Sequence, residues 1–196
     1  MVEALPKVAI LIFDDVEVLD FCGPFEVFAV AGAYDATRLC QVYTVAQKTP
    51  MIARNGLSVN PTYDLAQCPQ PDVLVVPGGL GTRQEMHNSE LIAWIKDTAV
   101  GCQIVLSVCT GALLLAQAGL LGGLAATTHH RAFDLLAQVA PETELRPQER
   151  VVDNGRVVTA AGISAGIDAS LHVLARLLGL QVAQKTAAYM EYDWHG

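Results

Sequence analysis

A doubly wound, mostly parallel α/β sheet is the fold class this sequence predicts. Two observations predict it. Short, wholly apolar runs rich in branched residues recur along the chain, as in strands covered on both faces. Stretches of helix-forming composition alternate with them, at lengths that suit crossover helices.

The first strand is expected over residues 8–13, a continuous apolar run that Asp14-Asp15 ends. Pro24 suits a helix start, so a helix is expected over 24–31, closed by Gly32. A second strand follows at 40–46, then a hairpin at 52–60 around Asn55-Gly56, a strong turn pair. Residues 72–76 form another buried strand that runs into Pro77-Gly-Gly-Leu-Gly81. Ser89 caps a helix over 90–98, with Leu91, Ile92 and Ile95 on one face.

The run Ile104-Val-Leu106 is the central strand. Cys109 sits on the corner behind it, and a helix over 109–118 stops at Gly119. Small residues at Ser107 and Gly111 flank the cysteine, as a sharp strand-to-helix elbow requires. A short strand at 124–128 ends in His129-His130, and a helix covers 131–139. Asn154-Gly155 marks a second hairpin between 150–152 and 157–160. A long helix runs from Ser164 or Ala165 to about 178, and a last one from about 182 to 189.

The 196 residues, 52% hydrophobic, suffice for one α/β domain spanning 1–196 with a full core. No apolar run reaches membrane-spanning length, and the N-terminus has no signal-peptide layout. A formal charge of −8 argues against nucleic acid or an anionic membrane as partner. Five cysteines without a C-x-x-C pair suit a reducing cytoplasm and give no zinc or disulfide framework.

In an open parallel sheet the crevice lies beyond the carboxyl ends of the strands. Those ends carry Asp20, Gly78-Gly79, Cys109-Thr110, His129 and Gly162. At the elbow, helix N–H groups would favour a Cys109 thiolate. The local pattern equally suits a buried structural cysteine. Asp20 is either a cap for the following helix, which the local pattern favours, or a carboxyl whose pKa is raised by apolar surroundings and a thiolate. Gly78-Gly79 offers backbone N–H groups to a polar substrate atom, or simply makes a tight turn.

Gly162-Ile-Ser-Ala-Gly166 matches G-x-S-x-G, but a serine triad would need Asp and His later in the chain. Only Asp168, His172, Asp193 and His195 remain, the first two on the serine's own helix. The loop is therefore expected to pack a helix start against the pocket. Asp168 is expected to serve that helix's first turn. Adjacent His129 and His130, on a strand, would point to opposite faces, so no metal site is expected. One of them could bound the pocket. Gly79-Leu-Gly81 does not extend to a nucleotide-binding fingerprint, and no cofactor is expected.

Taken together, Leu19-Asp-Phe-Cys-Gly-Pro-Phe-Glu-Val-Phe28, Asp72-Val-Leu-Val-Val-Pro-Gly-Gly79, Ser107-Val-Cys-Thr-Gly-Ala112, Ala126-Thr-Thr-His129 and Gly162-Ile-Ser-Ala-Gly-Ile-Asp168 resemble the ThiJ/PfpI superfamily of class I glutamine-amidotransferase-like proteins. The likeness covers nearly the whole chain. Asp at position 20 and Cys-Thr-Gly at 109–111 are most similar to its isocyanide hydratase branch. The resemblance implies a flavodoxin-like three-layer α/β/α sandwich, a Cys109 nucleophile and a homodimer with its pocket near the interface. Thr110 departs from the Cys-His pair of PfpI-type peptidases, and Asp20 from the Glu of the deglycase relatives. Ligand domains of AraC-type regulators share the Cys-Thr-Gly elbow. The chain ends at Gly196 without a helix-turn-helix region, which points to a stand-alone enzyme.

The resemblance thus implies hydration of an organic isocyanide, a small-molecule substrate, to an N-formamide. Cys109 would attack the isocyanide carbon. Asp20 would supply a proton, giving a thioimidate, and then activate water. The Thr110 N–H or hydroxyl would orient Asp20 or the water. Gly79 N–H, Leu80, His129, Gly162 and Ile163 would shape the pocket. The alternatives are a carbonyl-directed hydrolase or glyoxalase/deglycase, and a sensor whose Cys109 is oxidised beside Asp20.

Overall fold

The computed structural model describes residues 4–196. In chain order the elements are β1 (Lys7–Leu11), α1 (Val18–Ala29), β2 (Gln41–Ala46), β3 (Met51–Ile52), β4 (Ser58–Val59), β5 (Tyr63–Asp64), β6 (Val73–Val76), α2 (Thr82–Glu85), α3 (Ser89–Val100), β7 (Ile104–Val108) and α4 (Gly111–Gln117). After these come β8 (Ala125–Ala126), α5 (Phe133–Val139), β9 (Glu144–Leu145), β10 (Val151–Asp153), β11 (Val157–Ala160), α6 (Ala165–Leu178) and α7 (Leu180–Tyr189).

Seven strands make one sheet in the order β10-β11-β7-β6-β1-β2-β5. All neighbours are parallel except β10 and β11, the antiparallel hairpin that Asn154-Gly155 signals. The apolar runs behave as parallel strands do when covered on both faces: β6 and β7 are buried at every position. Helices α1, α6 and α7 pack together on one face, and α2, α3 and α5 gather on α4 on the other. The result is the expected three-layer sandwich.

From β1 the chain moves to β2 on one side and later to β6, β7 and β11 on the other. The order therefore reverses between β1 and β6. Their carboxyl ends open the crevice where a ligand site is expected in such sheets.

Four local expectations need correction. Helix α1 starts at Val18, so Pro24 lies inside it and not at its start. Proline there removes the N–H that would bond the Asp20 carbonyl. Helix α3 is capped by Asn88, whose side chain accepts the Leu91 N–H across 3.2 Å, and Ser89 is already helical. The strand before His129 shrinks to β8, which pairs with β9 outside the main sheet. The two histidines consequently leave the strand, and their rings lie 4.2 Å apart, centroid to centroid, instead of on opposite faces. The edge strand β5 and helix α2, too short to show periodicity, are additions to the sequence-based expectation.

Candidate active site

Five loops meet at the carboxyl edge of the sheet. The first runs from β1 to α1. Its residue Val16 makes a bridge to Gly79 in the loop after β6, and Glu17 N–H donates to the Gly78 carbonyl across 2.9 Å. Gly79 allows this approach because a Cβ there would come within 2.3 Å of the Asp15 carbonyl oxygen, and its φ is +135°. The β3–β4 hairpin docks on the same loop through Asp15 N–H to Ile52 O and Arg54 N–H to Val16 O. That docking carries Arg54 to the site.

The expected elbow forms at Cys109. Its φ is +56°, a left-handed conformation uncommon outside glycine. The strain is held by main-chain bonds on both sides. Cys109 N–H donates to Ala160 O and Ala161 O at 3.1 and 3.0 Å, and the Thr128 hydroxyl donates to Cys109 O at 2.8 Å. Gly111 completes the corner, since a Cβ there would lie 2.0 Å from Val76 O. Ile163, in the loop before α6, is also left-handed at φ +53°, which a β-branched residue adopts only under strain. Strained residues of this kind cluster at functional sites.

Asp20 is not the helix cap. Helix α1 is preceded by Glu17, and Asp20 sits inside its first turn, fully buried. Its Oδ2 accepts the Gly78 N–H at 3.0 Å. Its Oδ1 has no hydrogen-bond partner among the described residues. The Cys109 thiol and the Ile163 N–H also act on this carboxyl without completing a bond to Oδ1. Burial pushes the Asp20 carboxyl up to about 7, opposed by the Gly78 N–H and the thiol and reinforced by the Glu17 charge.

The expectation of a ready thiolate is corrected. Burial, then the charge of Asp20, pushes the Cys109 thiol up to about 12, against the pull of the Thr110 and Ile163 N–H groups. Desolvation outweighs the start of the seven-residue helix α4. At rest the sulfur therefore keeps its proton, and the carboxyl takes up the next one as pH falls through about 7.

Thr110 presents its N–H to the Cys109 sulfur. Its hydroxyl does not reach Asp20. It accepts the Gly79 N–H at 3.0 Å and lies 3.1 Å from both Gly79 O and Thr82 Oγ1. The Gly79 N–H is thereby engaged and not presented to a substrate. The loop N–H that reaches the chemistry is that of Gly78.

A pocket of about 190 Å³ opens over Cys109. Gly79, Leu80, Thr110, His129 and Ile163 line it, as the sequence suggests. Gly162 lies behind His129: a Cβ on it would fall 2.5 Å from the imidazole Cδ2. Nδ1 of His129 accepts the Arg131 N–H at 3.2 Å. Burial, then the charges of His130, Arg131 and Arg83, hold its pKa below the usual value. Four wall residues escape the sequence reading: Glu17, Arg54, Arg83 and Arg131. Charged loop residues are ordinarily solvated, and here the docked hairpin, helix α2, the β1–α1 loop and the loop after β8 bring them together.

The G-x-S-x-G match has no triad. Ser164 Oγ accepts from Arg150 at 3.0 Å, while His172 pairs with Asp153. Asp168 lies in the first turn of α6, as expected, and also binds Arg150 and the Tyr192 hydroxyl. No cluster of three or more His, Cys, Asp or Glu able to hold a metal ion occurs among the described residues. No helix among them is long and apolar enough to cross a membrane.

The fold and site define a class: three-layer α/β proteins with a strained cysteine on the β-strand elbow and a buried carboxyl from the first helix beside it. Residues 6–176 match the DJ-1/PfpI family, and the chain belongs to it. It is 36% identical over 187 residues to an isonitrile hydratase of Pseudomonas putida, an alignment covering 95% of this chain and 78% of the relative. It is 29% identical to the HTH-type transcriptional regulator CdhR of Pseudomonas aeruginosa, over 88% of this chain and 51% of that one. Among solved structures, a ThiJ/PfpI family protein from Pseudomonas syringae superposes with a TM-score of 0.86 at 30% identity, covering 98% of this chain and 77% of that one. Drosophila melanogaster DJ-1beta shares the fold at a TM-score of 0.85 and 19% identity, covering 97% and 100%.

Proposed function

We propose that this protein hydrates an organic isocyanide to the corresponding N-formamide, with Cys109 as nucleophile and Asp20 as the proton carrier. The observation that carries the reading is the Asp20 carboxyl, fully buried, anchored at Oδ2 by Gly78 and beside the Cys109 thiol with Oδ1 unbonded. The similarity to an isonitrile hydratase supports the choice of substrate.

The chemistry needs one proton and one nucleophile in the first half. The ionised Asp20 takes the thiol proton and delivers it to the isocyanide carbon. The sulfur bonds to that carbon, leaving a neutral thioimidate, S–CH=N–R. In the second half Asp20 removes a proton from water as its oxygen adds to the same carbon, and passes that proton to the nitrogen. The C–S bond then breaks as the new hydroxyl loses its proton, which Asp20 returns to the sulfur, and the formamide leaves. One carboxyl poised near neutrality serves both halves. The Ile163 N–H, which faces carboxyl and thiol alike, steadies the charge as it moves from one to the other.

The test is formamide release from an aryl isocyanide, by wild type and by Cys109→Ala. Turnover by wild type, lost in the variant, is the expected result. Equal rates, or none from either, overturn the proposal. Lactate formed from methylglyoxal in a Cys109-dependent way, without isocyanide turnover, would move the site to carbonyl chemistry.

A further inference from the structure

The walls of the pocket over Cys109 carry more positive charge than a neutral isocyanide can use. Three of the chain's eight arginines, Arg54, Arg83 and Arg131, line it. One carboxylate, Glu17, lines it as well. Arg54 has a distant partner in Asp15, 3.7 Å away and more than half exposed. Arg83 spends one amino group on the Gly79 carbonyl and the Thr82 hydroxyl, at 3.1 and 3.2 Å. Neither Arg83 nor Arg131 makes an ion pair among the described residues.

This concentration stands in a protein whose formal charge is −8. Like charges brought to one cavity repel, and a cavity with low-dielectric walls focuses their field. After burial and His130, Arg131 and Arg83 also hold the His129 pKa down, with Glu17 opposing them. Neither the isocyanide group nor the formamide it yields carries a charge for them to meet. Guanidinium forks fit planar oxyanions in two-point contact.

We infer that the substrate is an isocyanide bearing a carboxylate, held by Arg54, half-buried, and by the exposed Arg83 and Arg131 at the mouth of the pocket, while its isocyanide carbon meets Cys109. This rests on the isocyanide reading and names the class within it.

The experiment compares kcat/KM for 4-isocyanobenzoate and its methyl ester at low and high salt. Wild type is expected to prefer the acid by about 10-fold or more at low salt, and to lose most of that preference near 0.5 M. Arg131→Gln and Arg83→Gln should each cut the acid-to-ester ratio about 3- to 10-fold. Turnover of the ester with no preference for the acid, or a ratio indifferent to both substitutions, overturns this inference and leaves the isocyanide reading standing. Absence of turnover on both overturns that reading instead. The anion site is then read from the ratio of iodoacetate to iodoacetamide labelling at Cys109, by peptide mass spectrometry. A ratio that falls in Arg131→Gln supports the site, and an unchanged ratio overturns it. Stronger protection of Cys109 by phenylphosphonate than by benzoate would overturn the choice of carboxylate over phosphate.

Discussion

The Gly78 N–H holds Asp20 Oδ2 at 3.0 Å, joining the loop after β6 to the first turn of α1 across 58 residues of sequence. A Cβ on Gly78 would lie 2.5 Å from the Thr110 nitrogen and 2.9 Å from that same carboxylate oxygen. Real Cβ atoms do not approach backbone so closely, so Gly78→Ala must displace the loop and the carboxyl together. A displacement near 1 Å costs on the order of 100-fold in rate, and overpacking costs about 1–3 kcal/mol. The expected result is a folded, less stable variant with kcat/KM for isocyanide hydration reduced at least 10-fold. Turnover assays paired with urea melts check both halves.

The pH dependence follows from the Asp20–Cys109 pair. The active form carries one proton between the two groups. Asp20 is raised to about 7 and Cys109 to about 12, so that form is lost as pH falls through about 7. We expect kcat/KM to rise tenfold per pH unit below 7 and to level off above it, the apparent values belonging to the pair. Asp20→Asn should abolish this limb and slow hydration by a factor of about 100 or more. A wild-type profile flat from pH 5 to 8 would contradict the assignment of Asp20 as proton carrier.

The same carboxyl has an opposite consequence for stability. Its folded pKa of about 7 lies above the ordinary 3.8. The native state therefore binds more protons between these values, and stability falls as pH rises through the window. The group's contribution is fully present below 3.8 and lost by about pH 7. A rise of that size corresponds to a few kcal/mol, roughly 2–5. Asp20→Asn keeps an acceptor for Gly78 and never ionises. It should gain stability over wild type at pH 8 by an amount that shrinks at pH 5. Denaturant midpoints at the two pH values measure it.

Both predictions concern a residue whose place was only half legible in the sequence. The sheet was readable because β6 and β7 are continuous apolar runs, and runs of that kind admit few alternatives. The elbow was readable because Ser107 and Gly111 are small where crowding demands it. The role of Asp20 was not, since a carboxyl near a helix start looks like a cap, and only the Gly78 contact distinguishes the two. Pro24 misplaced the start of α1 for the same reason: proline marks a first turn in most helices but is here six residues in. The arginines were invisible because nothing local separates a solvated guanidinium from one that a docked hairpin brings to a cavity. The thiol's proton is not legible either, because burial, which no motif encodes, outweighs a short helix.

Ile163 provides the last prediction. It holds φ +53°, a conformation costly for a β-branched side chain, and it is 39% exposed at the pocket. The strain costs on the order of 1–3 kcal/mol. Glycine removes it, at a loss of about 0.5–1 kcal/mol through the freer unfolded chain. Ile163→Gly should therefore match or exceed wild type in thermal stability. Its N–H remains, but the residue loses the steric reason to hold that N–H against Asp20 and Cys109, and the pocket loses an apolar wall. Activity on isocyanide should fall about 10-fold, with KM rising as well. Ile163→Val keeps the branch and the strain, so it should leave stability within about 1 kcal/mol of wild type and retain most of the rate. A glycine variant that is both less stable and fully active would show that the left-handed turn serves packing and not the site. Thermal melts and steady-state kinetics on the two variants separate these outcomes.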